Sequence, residues 1–301
     1  MIPDRLNPAA LLDQARETAE MIKISHTVFA LPFALGAAAL AMRAEGVFSW
    51  QQLGWIIFCA VMARTAAMAQ NRLADARLDR ENPRTEQRAL AAGRVSSGFV
   101  MALVGVSSGL FVFGAAMLNP LCLMLSPVVL VVVLGYPYAK RFTALCHVWL
   151  GIALGIAPIG AWVAVRGSFA GWPVPVLFGF AVTCWTAGFD CIYACQDAEH
   201  DRREGLFSIP ARFGIARALR IARGLHVITV VLLVAAGLLS PTLGFMYFAA
   251  VVFVAALLAY ENALVTPDDL SRVDVAFFNL NGVVSLVVGA ALVISAAFPS
   301  G

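Results

Sequence analysis

Charge is scarce in this chain. Lysine, arginine, aspartate and glutamate make up 13% of its 301 residues, whereas 61% are hydrophobic. Soluble domains carry about 25% charged residues, so an ordinary soluble fold is excluded and a lipid-embedded one is implied. No Cys-x-x-Cys pair exists. Cys59, Cys122, Cys146, Cys184, Cys191 and Cys195 all fall in or beside apolar segments and read as small buried hydrophobes. Cys191 and Cys195, spaced i, i+4, would suit a soft metal, but the carboxylates beside them favour a hard cation. The opening residues are not expected to act as a secretory leader: they include Asp4, Asp13, Glu17 and Glu20 and lack a basic start followed by a short apolar stretch and a small-residue cleavage site. Residues 1–22 are expected to form a cytoplasmic amphipathic helix with Leu11, Leu12, Ala15 and Ala19 on its apolar side.

Long apolar runs dominate what is present. At about 20 residues per crossing, the segments 25–43, 51–70, 97–117, 120–138, 145–165, 171–190, 224–240, 242–260 and 275–297 predict about nine transmembrane helices. Eighteen of the 21 lysines and arginines fall on one side of that arrangement. Arg43 and Arg166 fall opposite, and Arg64 lies within the second span. Short loops rich in basic residues stay cytoplasmic. The N-terminus is therefore expected inside and the C-terminus outside. The expected fold is all-α: a helix bundle over residues 23–301, with cytoplasmic loops 71–96, 139–144 and 197–223 and a central cavity open to that side.

Two acidic clusters 122 residues apart share one grammar, Asn71/Asp75/Asp79 and Tyr193/Asp197/Asp201, and each lies where an apolar segment emerges into a basic loop. Steps of four residues keep each set on one helical face, so its carboxylates are expected to converge on one point. Asp190 extends the second face by one turn, and Pro83 ends the helix that carries the first. Solvated helix ends with weak surface ion pairs explain one such cluster adequately; two matching clusters on one side of a membrane are harder to explain that way. Magnesium is typically held by one or two carboxylates plus substrate phosphates. A site completed by diphosphate fits that description, with Asn71 contributing an uncharged oxygen.

These residues resemble the signatures of the UbiA superfamily of intramembrane aromatic prenyltransferases. The second signature, D-x-x-Y-x-x-x-D-x-x-x-D, is matched by Asp190, Tyr193, Asp197 and Asp201. The first, N-D-x-x-D-x-x-x-D, is matched at Asn71, Asp75 and Asp79, with Arg72 in place of the aspartate. Tyr136 to Thr143 is similar to the family's Tyr-x-x-x-Lys loop, while Arg88 to Arg94 lacks both prolines of the family's Arg-Pro-Leu-Pro-x-Gly pattern. The resemblance implies transfer of a polyprenyl group from a polyprenyl diphosphate to an aromatic acid, 4-hydroxybenzoate or a naphthoate-type precursor, at the inner membrane. Mg2+ would be held by Asn71, Asp75, Asp79, Asp197 and Asp201. Lys140 and Arg141, with Arg72 and Arg77, would grip the diphosphate, and Tyr136 and Tyr193 would stabilise the allylic cation. Haem, tetrapyrrole and glycerophosphate acceptors share the metal chemistry.

Several features keep two readings. Arg64 either reads an anionic substrate group or pairs with Asp190 across the bundle. Lys23 either guides an acidic acceptor or snorkels from a helix end, and Tyr138 is a cation stabiliser or an interfacial anchor. His26, His147 and His226 read as packing residues, and His200 is expected to point off the Asp197/Asp201 face. Gly155, Gly160, Ala153 and Ala157 give the fifth span a small-residue packing face. A membrane transporter is the competing class. No nucleic-acid partner is expected, and the oligomeric state is open.

Overall fold

The computed structural model describes residues 17–18 and 29–298. The expected N-terminal amphipathic helix, Lys23 and His26 lie outside the residues it describes. A helix coincides with each of the nine predicted segments: α1 (Leu31–Glu45), α2 (Trp50–Glu81), α3 (Ser97–Leu118), α4 (Pro120–Ala139), α5 (Cys146–Arg166), α6 (Pro173–Ala194), α9 (Ile215–Leu239), α10 (Phe245–Leu264) and α11 (Asn281–Ala297). Two short helices, α7 (Ala198–Arg203) and α8 (Ile209–Phe213), follow a 3-10 turn at Cys195–Asp197, and a π-helix at Val275–Leu280 leads into α11. Among the described residues, seven helices are long and apolar enough to cross a membrane, and α11 is a shorter apolar helix. Among the described residues the only β-structure is an isolated bridge between Thr266 and Asp269.

The ends of the helices follow local chemistry. Ser49 and Ser96 accept the backbone N–H groups of Gln52 and Phe99 at 3.2 Å each, capping α2 and α3. Asn119 caps α4 through Cys122 N–H at 2.9 Å, while its amide donates to Val163 and Ala164 at the far end of α5. That one side chain fixes the start of one span against the end of another.

Successive neighbours pack in the order α2, α3, α4, α5, α6, α9, α10, α11, α1, and α1 also packs on α5. The core therefore lies between α1, α5, α6 and α11, where Phe29, Phe33, Trp185 and Phe189 form an aromatic cluster. The outer faces remain apolar: Val131 and Val252 are each 70% exposed. Apolar residues on the outside of a bundle whose core is already filled face lipid.

Close approach of α5 and α6 depends on glycine. A Cβ on Gly151 would stand 2.3 Å from the Thr183 carbonyl oxygen, and one on Gly155 would stand 2.4 Å from that of Gly179. Backbone cannot yield as a flexible side chain can. Gly151→Val is expected to lower the melting temperature of detergent-solubilised protein, with a destabilisation of about 1–3 kcal/mol from overpacking. An unchanged melt would show that the two helices can separate freely.

The first acidic cluster is placed by helix length. At 1.5 Å per residue, the 32 residues of α2 span about 48 Å, against about 30 Å of bilayer hydrocarbon. Its last turns, carrying Asn71 to Asp79, project past the apolar slab. The expected loop 71–96 is thus helix as far as Glu81, with Pro83 just beyond, and only 82–96 is a loop. Likewise, 198–203 and 209–213 within the expected loop 197–223 are helical, and α9 begins at Ile215.

Candidate active site

The C-terminal ends of α2, α4 and α6, with the segments that follow them, enclose a cavity of about 280 Å3. Both acidic sets line it. Asp75 accepts Lys140 Nζ at 2.7 Å and stands 3.3 Å from Arg141 Nη2, with the Asn71 amide at 3.5 Å. Asp79 accepts Arg88 Nη1 at 2.7 Å and lies 3.5 Å from Arg72 Nη1. Asp197 accepts the Asn82 amide and Arg84 Nε, both at 2.9 Å, together with Arg84 Nη2. Arg84 also donates to the Tyr193 hydroxyl at 2.7 Å, and its guanidinium carbon lies 5.1 Å from the centre of that ring. The loop following the first cluster thus reaches across and clasps the second.

Such pairs are chemically poised. Asp75 and Asp79 are nearly excluded from solvent, so their charges require partners. Burial works against the charge on Arg84, but Asp197 and Tyr193 hold its guanidinium above the ordinary arginine value. Lys140 and Arg141 sit just past the end of α4, where Phe207 N–H donates to the Lys140 carbonyl at 2.7 Å and ties this turn to the segment after the second cluster.

Among the described residues no three acids, histidines or cysteines stand close enough to hold a metal ion. Asp75, Asp79 and Asp197 are each paired with lysine or arginine. The donor chemistry still fits a hard cation, because Asn71, Asp75, Asp79, Asp197 and Asp201 supply oxygen from both walls of one cavity. Substrate phosphates would complete such a site.

Asn71, Arg72, Asp75, Asp79, Tyr136, Lys140, Asp190, Tyr193, Asp197, Asp201 and Arg64 all line this cavity. Arg141 holds Asp75 from behind, donating as well to the carbonyls of Ala74 and Pro137. Arg77 is a correction. Two residues beyond Asp75 on a helix is about 200° around the axis, and its side chain is 69% exposed, bound to Glu81 and Glu204. Arg77→Ala is expected to keep turnover within about twofold, as surface pairs contribute little; a tenfold loss would return this residue to the site. Tyr138 lies outside the cavity lining, half-exposed beneath Arg141 and bonded to Gln70, which suits an anchor.

Two histidines are also corrected. His200 lines the cavity, because the 3-10 turn at Cys195–Asp197 advances about 120° per residue and shifts the phase of everything after it. His147 is no mere packing residue: its Nδ1 lies 2.7 Å from Asp190. That pair replaces the anticipated Arg64–Asp190 contact. Cys191 and Cys195 instead point their thiols at backbone carbonyls of Ala218 and Cys191, so the soft-metal reading has no support. Sequence spacing missed Asn82, Arg84 and Arg88 as carboxylate partners; the signal was the run of basic residues after a helix-ending proline.

A second cavity, about 430 Å3 and lined almost wholly by apolar side chains of α1 to α5, adjoins the first. Arg64, Met68, Tyr136, Leu150 and Leu154 line both. Of the small residues on α5, Gly155 serves helix contact, whereas Ala153, Ala157 and Gly160 line this second cavity.

The profile of the UbiA prenyltransferase family matches residues 30–283. The chain belongs to that family. Its curated UbiA relatives include a 4-hydroxybenzoate octaprenyltransferase of Vibrio parahaemolyticus, 32% identical over 261 residues that cover 85% of this chain and 89% of the relative. The corresponding protein of Vibrio vulnificus is 33% identical with the same coverage. Among solved structures, the apo form of a UbiA homologue from Aeropyrum pernix superposes with a TM-score of 0.81 at 38% identity, covering 90% of this chain and 98% of that one. A UbiA homologue from Archaeoglobus fulgidus bound to GPP and Mg2+ shares the fold, with a TM-score of 0.69 at 18% identity over 92% of this chain and 99% of that one. The protein is a multi-pass membrane prenyltransferase.

Proposed function

We propose that the protein transfers a polyprenyl group from a polyprenyl diphosphate to a hydroxylated aromatic acid, 4-hydroxybenzoate or a naphthoate-type quinone precursor. The observation that carries this reading is the junction of two cavities. A chamber of paired carboxylates and cations suits a metal-bound diphosphate, and the apolar chamber beside it suits an isoprenoid tail. Two Vibrio relatives named 4-hydroxybenzoate octaprenyltransferase favour this acceptor class.

Asn71, Asp75, Asp79, Asp197 and Asp201 would hold Mg2+, which supplies the Lewis-acid neutralisation that lets diphosphate depart. Lys140, Arg72, Arg84 and Arg88 each engage a carboxylate in the protein and present donors that can transfer to phosphate oxygens once the acids are engaged elsewhere. Tyr136 and Tyr193 bring aromatic rings to the chamber where positive charge develops. Phe29, Leu150, Leu154 and Phe189 form apolar parts of its lining and exclude water that would quench an allylic cation. Arg64, which lines both chambers, would engage an acceptor carboxylate. The excess of basic residues beside both clusters supports a site facing the cytoplasm at the inner membrane, with the C-terminus outside.

Purified protein with magnesium, prenyl diphosphates of several lengths and a panel of acceptors, read by mass spectrometry, tests the proposal. A prenylated hydroxy-aromatic acid that vanishes on chelation is expected. Product only with haem, a tetrapyrrole or a glycerophosphate would replace the acceptor class. Absence of all products, with solute flux in sealed vesicles, would favour transport.

A further inference from the structure

The start of α9, at the end of the bundle that holds the polar cavity, carries positive charge with no counter-charge in the fold. Arg217, Arg220 and Arg223 are all exposed, and α9 has no acid in its 25 residues. Among the described residues no carboxylate lies within ion-pair distance of any of the three. Arg220 Nε donates to the Ala216 carbonyl one turn back at 3.4 Å. By contrast, Arg77, Arg84, Arg88, Arg94, Arg141 and Arg203 each meet a carboxylate. The placement on α9 is unfavourable for two reasons. Like charges about one turn apart repel. Cations at a helix N-terminus also oppose the macrodipole, which favours acids there, and this first turn has none. A helix that begins this way is relieved by an anion from outside the chain.

The face on which the arginines stand indicates where that anion lies. Each step of three residues turns the helix by about 300°, so the three side chains fan over about 120°. Val227 and Val231, both exposed, follow Arg217 by ten and fourteen residues and fall within the same sector. The opposite side is closed. Ala218 and Ala222 are fully buried and cluster with Cys191, Ile192 and Cys195 at the end of α6, where the Cys191 thiol donates to the Ala218 carbonyl at 3.5 Å. The arginines therefore crown a stripe that faces lipid. From Arg217 to Arg223 the helix rises about 9 Å, a depth that the headgroup region of one leaflet, roughly 5–8 Å, and the reach of an arginine side chain together cover. Guanidinium groups at that level meet lipid phosphates, with which they form charge-assisted hydrogen bonds.

We propose that Arg217, Arg220 and Arg223 form a headgroup site for an anionic phospholipid on the lipid-facing side of α9. The phosphate supplies the missing counter-charge, and the acyl chains lie along Val227 and Val231. None of the three arginines lines the polar cavity, so the ligand here is a lipid of the surrounding leaflet and not a substrate.

The full chain, purified in neutral detergent micelles without donor, acceptor or magnesium, is titrated with dioleoyl phosphatidylglycerol or dioleoyl phosphatidylcholine, and bound lipid is counted by native mass spectrometry. Wild type is compared with the triple variant Arg217→Gln/Arg220→Gln/Arg223→Gln. A second triple variant, Arg77→Gln/Arg80→Gln/Arg203→Gln, removes the same charge elsewhere on this end of the protein. Each arginine near an anionic surface contributes about fivefold, so the α9 variant is expected to lose about 10²-fold in phosphatidylglycerol affinity. The second variant should stay within about threefold of wild type, as its charges act only at long range. Phosphatidylglycerol should raise the melting temperature of wild type and leave that of the α9 variant unmoved. Without lipid, the α9 variant should melt no lower than wild type, because it sheds only mutual repulsion. Undiminished phosphatidylglycerol binding by the α9 variant, or equal losses in both variants, overturns the proposal. Displacement of the lipid by equimolar inorganic diphosphate also overturns it, in favour of a soluble anion. Should the triple variant fail to fold, Arg220→Gln alone is expected to lose about fivefold, and full retention of binding overturns the site. None of these measurements involves prenyl transfer, so they stand whichever acceptor the protein uses.

Discussion

Asp75→Asn and Asp197→Asn are each expected to lower kcat/KM for the prenyl diphosphate by about 10²–10³-fold, the usual cost of removing one preorganised electrostatic contact at a reacting centre. The two changes preserve side-chain size, and the cations they release retain other contacts. Lys140 and Arg141 are each about one-third exposed or less, so water still reaches them when Asp75 loses its charge. Arg84 keeps its hydrogen bond to Tyr193 when Asp197 is neutralised. The fold should therefore persist, with helical content unchanged, while half-saturation by magnesium moves to higher concentration. Turnover undiminished at the same magnesium concentration would show that these carboxylates do not engage the metal and diphosphate. A parallel collapse of folding would instead identify the ion pairs as structural. Asp75 is only 4% exposed, which is why the conservative amide, and not alanine, is the informative change.

The two clusters support that prediction on different backbones, and the difference marks how far spacing along the chain could be read. Asn71, Asp75 and Asp79 ride one uninterrupted helix, so a rule of four places them correctly on the cavity wall and places Arg77 on the opposite side. Asp190, Tyr193, Asp197 and Asp201 were placed by the same rule but cross a 3-10 turn. The acids still line the cavity, whereas His200 enters a face that continuous helical phase denies it. Burial of the apolar segments was legible because nothing else can be done with nine long apolar runs. The partners of the carboxylates were not. Arg84 meets Asp197 across 113 positions, and His147 meets Asp190 across 43. Such pairings are set by how α5 packs on α6 and by how the loop from Asn82 folds back, and neither is a property of local sequence. Small residues on α5 illustrate the same limit: one spacing pattern serves both as a contact face at Gly155 and as the wall of a chamber at Gly160.

Gly160→Phe is expected to shorten the donors that the protein can use. An added Cβ there meets no atom within 4 Å, unlike one on Gly155, so the new side chain enters the apolar chamber without forcing α5 away from α6. Gly160 follows Leu150, a residue common to both chambers, by ten residues of the same helix, or about 15 Å. That distance accommodates between about two and three isoprene units at ~1.5 Å per carbon–carbon bond. Tail beyond that depth loses apolar burial of about 0.8 kcal/mol for each methylene displaced. Displacing two to four methylenes therefore predicts a fall of about 10–200-fold in kcat/KM for long polyprenyl donors. Geranyl diphosphate, which ends short of the obstruction, should react at close to the wild-type rate. Competition between a C10 and a C40 donor in one reaction, read as the ratio of prenylated products, measures the change without depending on the fraction of active protein. An unchanged ratio would place the tail on another path, outside the chamber between α1 and α5. Equal losses for both donors would mean that phenylalanine at 160 disturbs the diphosphate chamber itself.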